Sequence, residues 1–314
     1  MSGAKKSALR NTITTDTQRC KLDMYIVRIY ICGLIPPLLV DIVIFRGNAN
    51  FDAPAMHRDI FDAETGVWTE LPDVITERPY YPSPVAIQHG EEGHRIYLFG
   101  GGDRNMNILD SCAFIDVGEY QWTVLEAKMT TPRAFASAIL LDRTTIVICG
   151  GYDDDGNELS SCESLDLNTH TFSPHPDMLQ PRYYHAGVHY NGTIVVLGGS
   201  PDDGTCEQFD PAVFEWTPFA PLPGKPHEDV KAAVVEDKIY ALIVHDTSVQ
   251  VYDGTTWTAV PQFPKTSAYR SVVALGGKVV VIGTDTDAFD PVTGVMSRLS
   301  AKPHERYTYG AVSF

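Results

Sequence analysis

Residues 145–172 read TIVICGGYDDDGNELSSCESLDLNTHTF. An apolar run of strand length ends at the pair Gly150-Gly151. A polar loop follows, then a second strand-length run that stops at Asp166, and Phe172 comes six positions later. An Asp at a strand end can accept hydrogen bonds from turn amides, so Asp166 to Phe172 is predicted to be a β-hairpin. A glycine pair after a buried strand permits a sharp turn and close backbone approach.

The same order recurs along the chain. Six stretches carry the hairpin: HRDIFDAETGVW, CAFIDVGEYQW, CESLDLNTHTF, CEQFDPAVFEW, SVQVYDGTTW and TDAFDPVTGVM. Their acids are Asp62, Asp116, Asp166, Asp210, Asp253 and Asp290, and their closing residues are Trp68, Trp122, Phe172, Trp216, Trp257 and Met296. A glycine-ended strand precedes three of them as RIYLFGG, TIVICGG and TIVVLGG, with weaker copies KIYALIVH and KVVVIGT. Before that element comes another apolar run, as in AFASAILL, YYHAGVHY, DVKAAVVE and YRSVVALG. Asn191-Gly192, Glu236-Asp237 and Gly276-Gly277 mark turns between the two. Each unit is therefore read as four short antiparallel strands, repeated at a regular period.

This unit resembles the kelch repeat over roughly residues 40–314; it is unlike WD40, because no Trp-Asp dipeptide closes the units. The resemblance implies an all-β, six-bladed β-propeller. The terminal YTYGAVSF matches a first strand with nothing after it, and DIVIFRG near residue 41 matches a second strand. The C-terminal strand is expected to complete the N-terminal blade, which removes exposed edges. Residues 37–314 are assigned to the propeller. Residues 1–36 match no repeat and are read as an extension that is polar and disordered at first.

Composition narrows the function. The formal net charge is −16, from 24 Lys and Arg against 40 Asp and Glu, which argues against binding nucleic-acid phosphates. The six cysteines form no CxxC pair, so zinc has no support and reduced thiols in the cytoplasm are expected. Met24 to Phe45 is apolar but holds Arg28, Asp41 and Pro36-Pro37, which disfavours a membrane span. No P-loop, G-x-S-x-G or H-E-x-x-H motif occurs, and no catalytic residue, metal or cofactor is assigned.

The resemblance implies binding on one face, built from the loops leading into each first strand and those after each glycine pair. The leading segments hold Arg78, Tyr80, Tyr81, Arg133, Phe135, Arg182, Tyr183, Tyr184, His185, His227, Tyr269, Arg270, Arg306 and Tyr307. Arginines among aromatics suit capture of a carboxylate or phosphate, so a peptide with acidic or phosphorylated residues is one expected partner. The competing reading makes Arg133 and Arg182 internal ties that bond loop carbonyls. Asp153, Asp154, Asp155, Asp202, Asp203, Asp285 and Asp287 form an acidic rim or serve solubility. Asp153-Asp154-Asp155 with Asn157 does not match an EF-hand loop. Cys112, Cys162 and Cys206 share one repeat position and are expected to be buried packing residues.

The favoured function is a protein-interaction module, an adaptor or scaffold. Alternatives are a carbohydrate-active isomerase of mutarotase type, using Arg133, Arg182, His185 and His227, and a cytoskeletal scaffold. A ubiquitin-ligase or cytoskeletal role would run through another chain.

Overall fold

The computed structural model describes residues 42–46, 57–62, 65–71, 82–89, 93–103, 105, 107–116, 122–200, 204–224, 229–244, 248–261, 263, 271–283, 285–301 and 308–313. The extension read at residues 1–36 lies outside them. No described helix is long and apolar enough to cross a membrane, and the end of the apolar stretch, from Ile42, is a strand.

Strands β1 (Ile42–Arg46), β2 (His57–Asp62) and β3 (Val67–Leu71) pair in order. The next sheet is β4 (Ser83–His89), β5 (Gly93–Phe99), β6 (Cys112–Asp116) and β7 (Thr123–Val124). It is followed by β8 (Ser137–Leu140), β9 (Thr145–Cys149), β10 (Cys162–Asp166) and β11 (Thr171–His175). Then come β12 (Ala186–Tyr190), β13 (Thr193–Leu197), β14 (Cys206–Asp210) and β15 (Glu215–Phe219). The next is β16 (Val230–Val235), β17 (Lys238–Ile243), β18 (Ser248–Tyr252) and β19 (Trp257–Ala259). A further sheet holds β20 (Ser271–Leu275), β21 (Lys278–Ile282), β22 (Asp285–Phe289) and β23 (Met296–Ala301). The last strand, β24 (Thr308–Ser313), runs antiparallel to β1 with Ile42 opposite Ser313 and Ile44 opposite Ala311. The described strands thus form six four-stranded antiparallel sheets, one of which has the order β24-β1-β2-β3. Their first strands touch in the sequence β4, β8, β12, β16, β20, β24, and β24 also touches β4.

The cores lie between sheets, which explains why the second strand of a unit carries an unbroken apolar run of about four residues. Successive side chains of a strand point to opposite faces. Ile146 and Ile148 of β9 pack with Tyr97 and Phe99 of the preceding sheet, while Val147 and Cys149 pack with Ile194 and Val196 of the following one. On β13, Ile194 and Val196 face back and Val195 and Leu197 face forward. On β17, Ile239 and Ala241 face one neighbour, and Tyr240 and Leu242 the other. A strand buried on both sides reads as a continuous hydrophobic run. Val280 and Ile282 of β21 meet Phe61 and Trp68 of the β1–β3 sheet.

The hairpin acids act as their chemistry suggests. Asp166 Oδ1 accepts from the amides of Asn168 and Thr169, both at 2.8 Å. Asp253 and Asp290 repeat the arrangement with Thr255 and Thr256, and with Val292 and Thr293. Two of the closing tryptophans reach backwards. Trp216 Nε1 donates to the Pro176 carbonyl at 2.9 Å, and Trp257 Nε1 to the Ala220 carbonyl at 3.0 Å. The glycine pair is needed for close approach. At Gly199, with φ +82°, a Cβ would lie 2.5 Å from the Tyr183 carbonyl oxygen.

The expectation of reduced cysteines needs correction. Cys149 and Cys162 stand directly opposite on β9 and β10 and are joined by a disulfide. Their Cα atoms are 4.2 Å apart, close enough for the bond. Packing does describe Cys112 and Cys206, which are buried and stand outside the disulfide. Desolvation raises the Cys112 thiol pKa strongly, so it stays protonated.

Candidate functional site

The loops leading into β8 and β12 carry equivalent arginines, and both side chains turn inward. Arg133 is 1% exposed and Arg182 is fully buried. Arg133 Nη1 donates to the carbonyls of Gly150 at 2.8 Å and Ser161 at 2.9 Å, and Nη2 pairs with Glu163 Oε1 at 2.9 Å. Arg182 repeats this with the Gly198 and Thr205 carbonyls and with Glu207, which also accepts from its Nε at 3.0 Å. Each glutamate accepts two further amides: Thr130 and Thr131 on Glu163, Leu179 and Gln180 on Glu207. The Arg133 carbonyl accepts from Gly101 N, and the Arg182 carbonyl from Gly151 N, both glycines belonging to the preceding sheet. The main chain thus ties a sheet to its predecessor while the guanidinium clamps the mouth of its own sheet. Burial lowers the Arg133 pKa and its Glu163 partner opposes the shift. Assignment of Arg133 and Arg182 to partner capture is therefore corrected: both side chains are buried, and their terminal guanidinium nitrogens are bonded to loop carbonyls and a glutamate.

His185 is corrected on the same ground. It is 4% exposed, and its Nε2 lies 2.7 Å from Ser137 Oγ. Its pKa is lowered to about 3, first by burial and then by the charges of Arg182 and Lys231, so the ring is neutral near pH 7. Its Nδ1 has no hydrogen-bond partner. A serine–histidine pair activates a nucleophile when a third group orients the base, and this pair has none.

Three of the expected residues do converge at the surface, with one the sequence reading missed. Phe135 and Tyr184 have ring centroids 4.2 Å apart. Tyr152 stacks on Phe135 at 5.3 Å, and Tyr183 sits 5.2 Å from Tyr184 and 6.0 Å from Tyr152. All four are half-buried. Phe135 and Tyr184 hold left-handed backbone, at φ 56° and 58°. Bulky residues seldom adopt that region, and such outliers cluster at functional sites. Tyr152 directly follows Gly150-Gly151, on the loop class expected to share this face, where only the acids drew notice. Arg78, Tyr80, Tyr81, His227, Tyr269, Arg270, Arg306 and Tyr307 lie outside the described residues, as do Asp202 and Asp203.

The acidic loop beside Tyr152 has ordered geometry. Asp153 accepts from the amides of Asp155 and Asn157 and from Asn157 Nδ2, an arrangement Asp103 repeats with Asn105 and Asn107. These bonds lower both aspartate pKa values. Asp154 Oδ1 accepts from Ile108 N at 2.5 Å, and Glu158 accepts from Ser200 Oγ at 3.0 Å. Among the described residues no group of three or more His, Cys, Asp or Glu could hold a metal ion.

The family model described as the KLHDC2/KLHL20/DRC7 Kelch-repeats domain matches residues 40–243 and 85–284. An F-box/kelch-repeat protein of Arabidopsis thaliana is 24% identical over 253 residues, covering 76% of this chain and 69% of that protein. Kelch-like protein 38 of Rattus norvegicus is 26% identical over 69% of this chain and 40% of its own length. Alpha-scruin of Limulus polyphemus is 27% identical over 69% of this chain and 25% of its own. The chain thus spans less than half the length of those last two relatives. The solved structure of YjhT superposes with a TM-score of 0.64 at 11% identity, over 77% of this chain and 90% of that one, a likeness of fold. Matched by that family model over most of its length, the chain belongs to the kelch-repeat family as an all-β propeller.

Proposed function

We propose that this propeller is a protein-interaction module, an adaptor or scaffold that receives a peptide or loop on the face bearing Phe135, Tyr152, Tyr183 and Tyr184. The observation that carries the reading is this half-buried aromatic cluster, two of whose members hold left-handed backbone. Aromatic anchors on a rigid frame dominate binding energy at interfaces. The frame is braced here because each clamp arginine is buried and bonded to loop carbonyls and a glutamate. We read the six sheets as one closed six-bladed ring sealed by β24, which fits the cyclic contact of the first strands. The names of the relatives, F-box/kelch-repeat protein and kelch-like protein among them, fit a role inside a larger assembly built with another chain.

The test is co-purification from native lysate with the wild type and a Tyr152→Ala/Tyr184→Ala variant of matched thermal stability. The recovered partner is then titrated against both. A loss of about 2 kcal/mol or more in the variant is expected for hot-spot aromatics. Equal affinity for both proteins would overturn the reading.

A further inference from the structure

Resting on that reading of the face, we infer that its occupant presents a cationic side chain, arginine or lysine, to the aromatic cluster. Among the described residues, the two arginines that would have drawn an acidic partner are withdrawn. Arg133 and Arg182 are buried, and each is neutralised by its own glutamate. What the described face offers instead is π-surface beside carboxylates. The loop 150–161, which carries Tyr152, holds four acids and no lysine, arginine or histidine. Asp154, Asp155 and Glu158 are exposed on it. Ser200, bridged to Tyr183, begins the stretch SPDDGT, which also lacks a cation in sequence. The net charge of −16 adds long-range attraction for a basic segment.

Among the described residues the molecule already uses this pairing. The Arg95 guanidinium lies 3.9 Å from the Phe114 ring centroid and bonds Asp116 through Nε at 2.6 Å and Nη2 at 2.9 Å. A ring face under the cation with a carboxylate at its edge satisfies both the charge and the planar donor fork. Tyr152 followed by Asp153 and Asp154 places the same two chemistries side by side at the surface. The occupant is thus a basic peptide or loop, opposite in sign to the acidic or phosphorylated partner read from the arginine pattern.

The experiment is a selection of random peptides against the full chain, followed by titration of the recovered peptides. Three proteins are compared: wild type, Asp154→Asn/Asp155→Asn, and Tyr152→Ala/Tyr184→Ala. Asparagine keeps the acceptor that Asp154 offers Ile108 N, and thermal melts confirm that both variants fold. The expected result is enrichment of arginine or lysine, about tenfold weaker binding to the aspartate variant, and loss of binding to the aromatic variant. Binding should also weaken as salt rises. Recovery of acidic or neutral peptides that still need Tyr152 and Tyr184 overturns the cationic inference and leaves the face intact. Peptides indifferent to those tyrosines, or no enrichment at all, overturn both.

Discussion

The β8–β11 and β12–β15 sheets are built on one plan and secured in two ways. Both place an arginine in the leading loop, a glutamate directly after the first cysteine of the third strand, and a guanidinium across the mouth between second and third strands. In the β12–β15 sheet the clamp is more complete: Arg182 Nε also bonds Glu207, whereas Arg133 Nε has no partner. In the β8–β11 sheet a covalent bond stands behind the weaker clamp, because Cys149 faces Cys162 where Leu197 faces Cys206. The disulfide closes the loop that carries Tyr152, Asp154 and Glu158, three residues that reach neighbouring elements. The loop read as a partner contact is thus the one held by two devices.

The comparison breaks most sharply at the arginines. Arg182→Met leaves Glu207 buried without its cation and is expected to cost about 3–5 kcal/mol in denaturant unfolding. Arg133→Met should cost measurably less while the disulfide is intact, and approach the Arg182 value under reductant. Equal costs in oxidised protein would show that the disulfide shares no load with the clamp. Next in size, Cys149→Ala/Cys162→Ala should lower stability by about 3 kcal/mol, the scale for a cross-link closing a loop of about this length. Alkylation of the unfolded wild type followed by mass measurement first checks that Cys149 and Cys162 are blocked and that Cys112 and Cys206 react as thiols.

Leu197→Cys would write the missing staple into the β12–β15 sheet, since residue 197 stands opposite Cys206. Loss of leucine volume offsets part of the gain, so a net rise of about 1 kcal/mol is expected, together with disappearance of the Cys206 thiol. A Cys206 that remains alkylatable would mean that the two sheets differ in strand geometry as well as residue type. The last effect is absent at neutral pH and confined to acid. His185, between the two sheets, has its folded pKa near 3 against an ordinary value of 6.5. The unfolded chain therefore takes up this proton first as pH falls, and stability drains away between those values. His185→Gln should flatten that limb while changing little at pH 7; an unchanged slope from pH 6.5 to 3 would show that His185 does not set it.

Most of the fold was legible because periodicity and turn chemistry are local. Asp166, Asp253 and Asp290 do in the hairpins what a carboxylate at a strand end can do, and the apolar runs of the second strands foretold burial on both faces. The role of Arg133 and Arg182 was left open because a pattern of residue types does not say which way a long side chain turns. A usable signal lay in the third strands: Glu163 and Glu207 follow Cys162 and Cys206, while Ala113 follows Cys112, in a unit whose leading Arg78 stands before a proline and not after one. An arginine and a glutamate that occur together in the same units are each other's partners. The disulfide needed the register of β9 on β10, and Tyr152 needed the folded juxtaposition of two loops.

The two tryptophan hydrogen bonds point the same way. Trp216 reaches back to Pro176 and Trp257 back to Ala220, each from a later sheet to the outer margin of the one before. The rim is thus fastened by one-way latches, in which a sheet is pinned by its successor and pins its predecessor. A new chain end cut inside a turn of one sheet leaves these latches whole. One cut between Phe219 and Val230 severs the covalent link that the Trp257 latch spans, leaving the indole as a tie at the outer margin of a seam otherwise held by its apolar core.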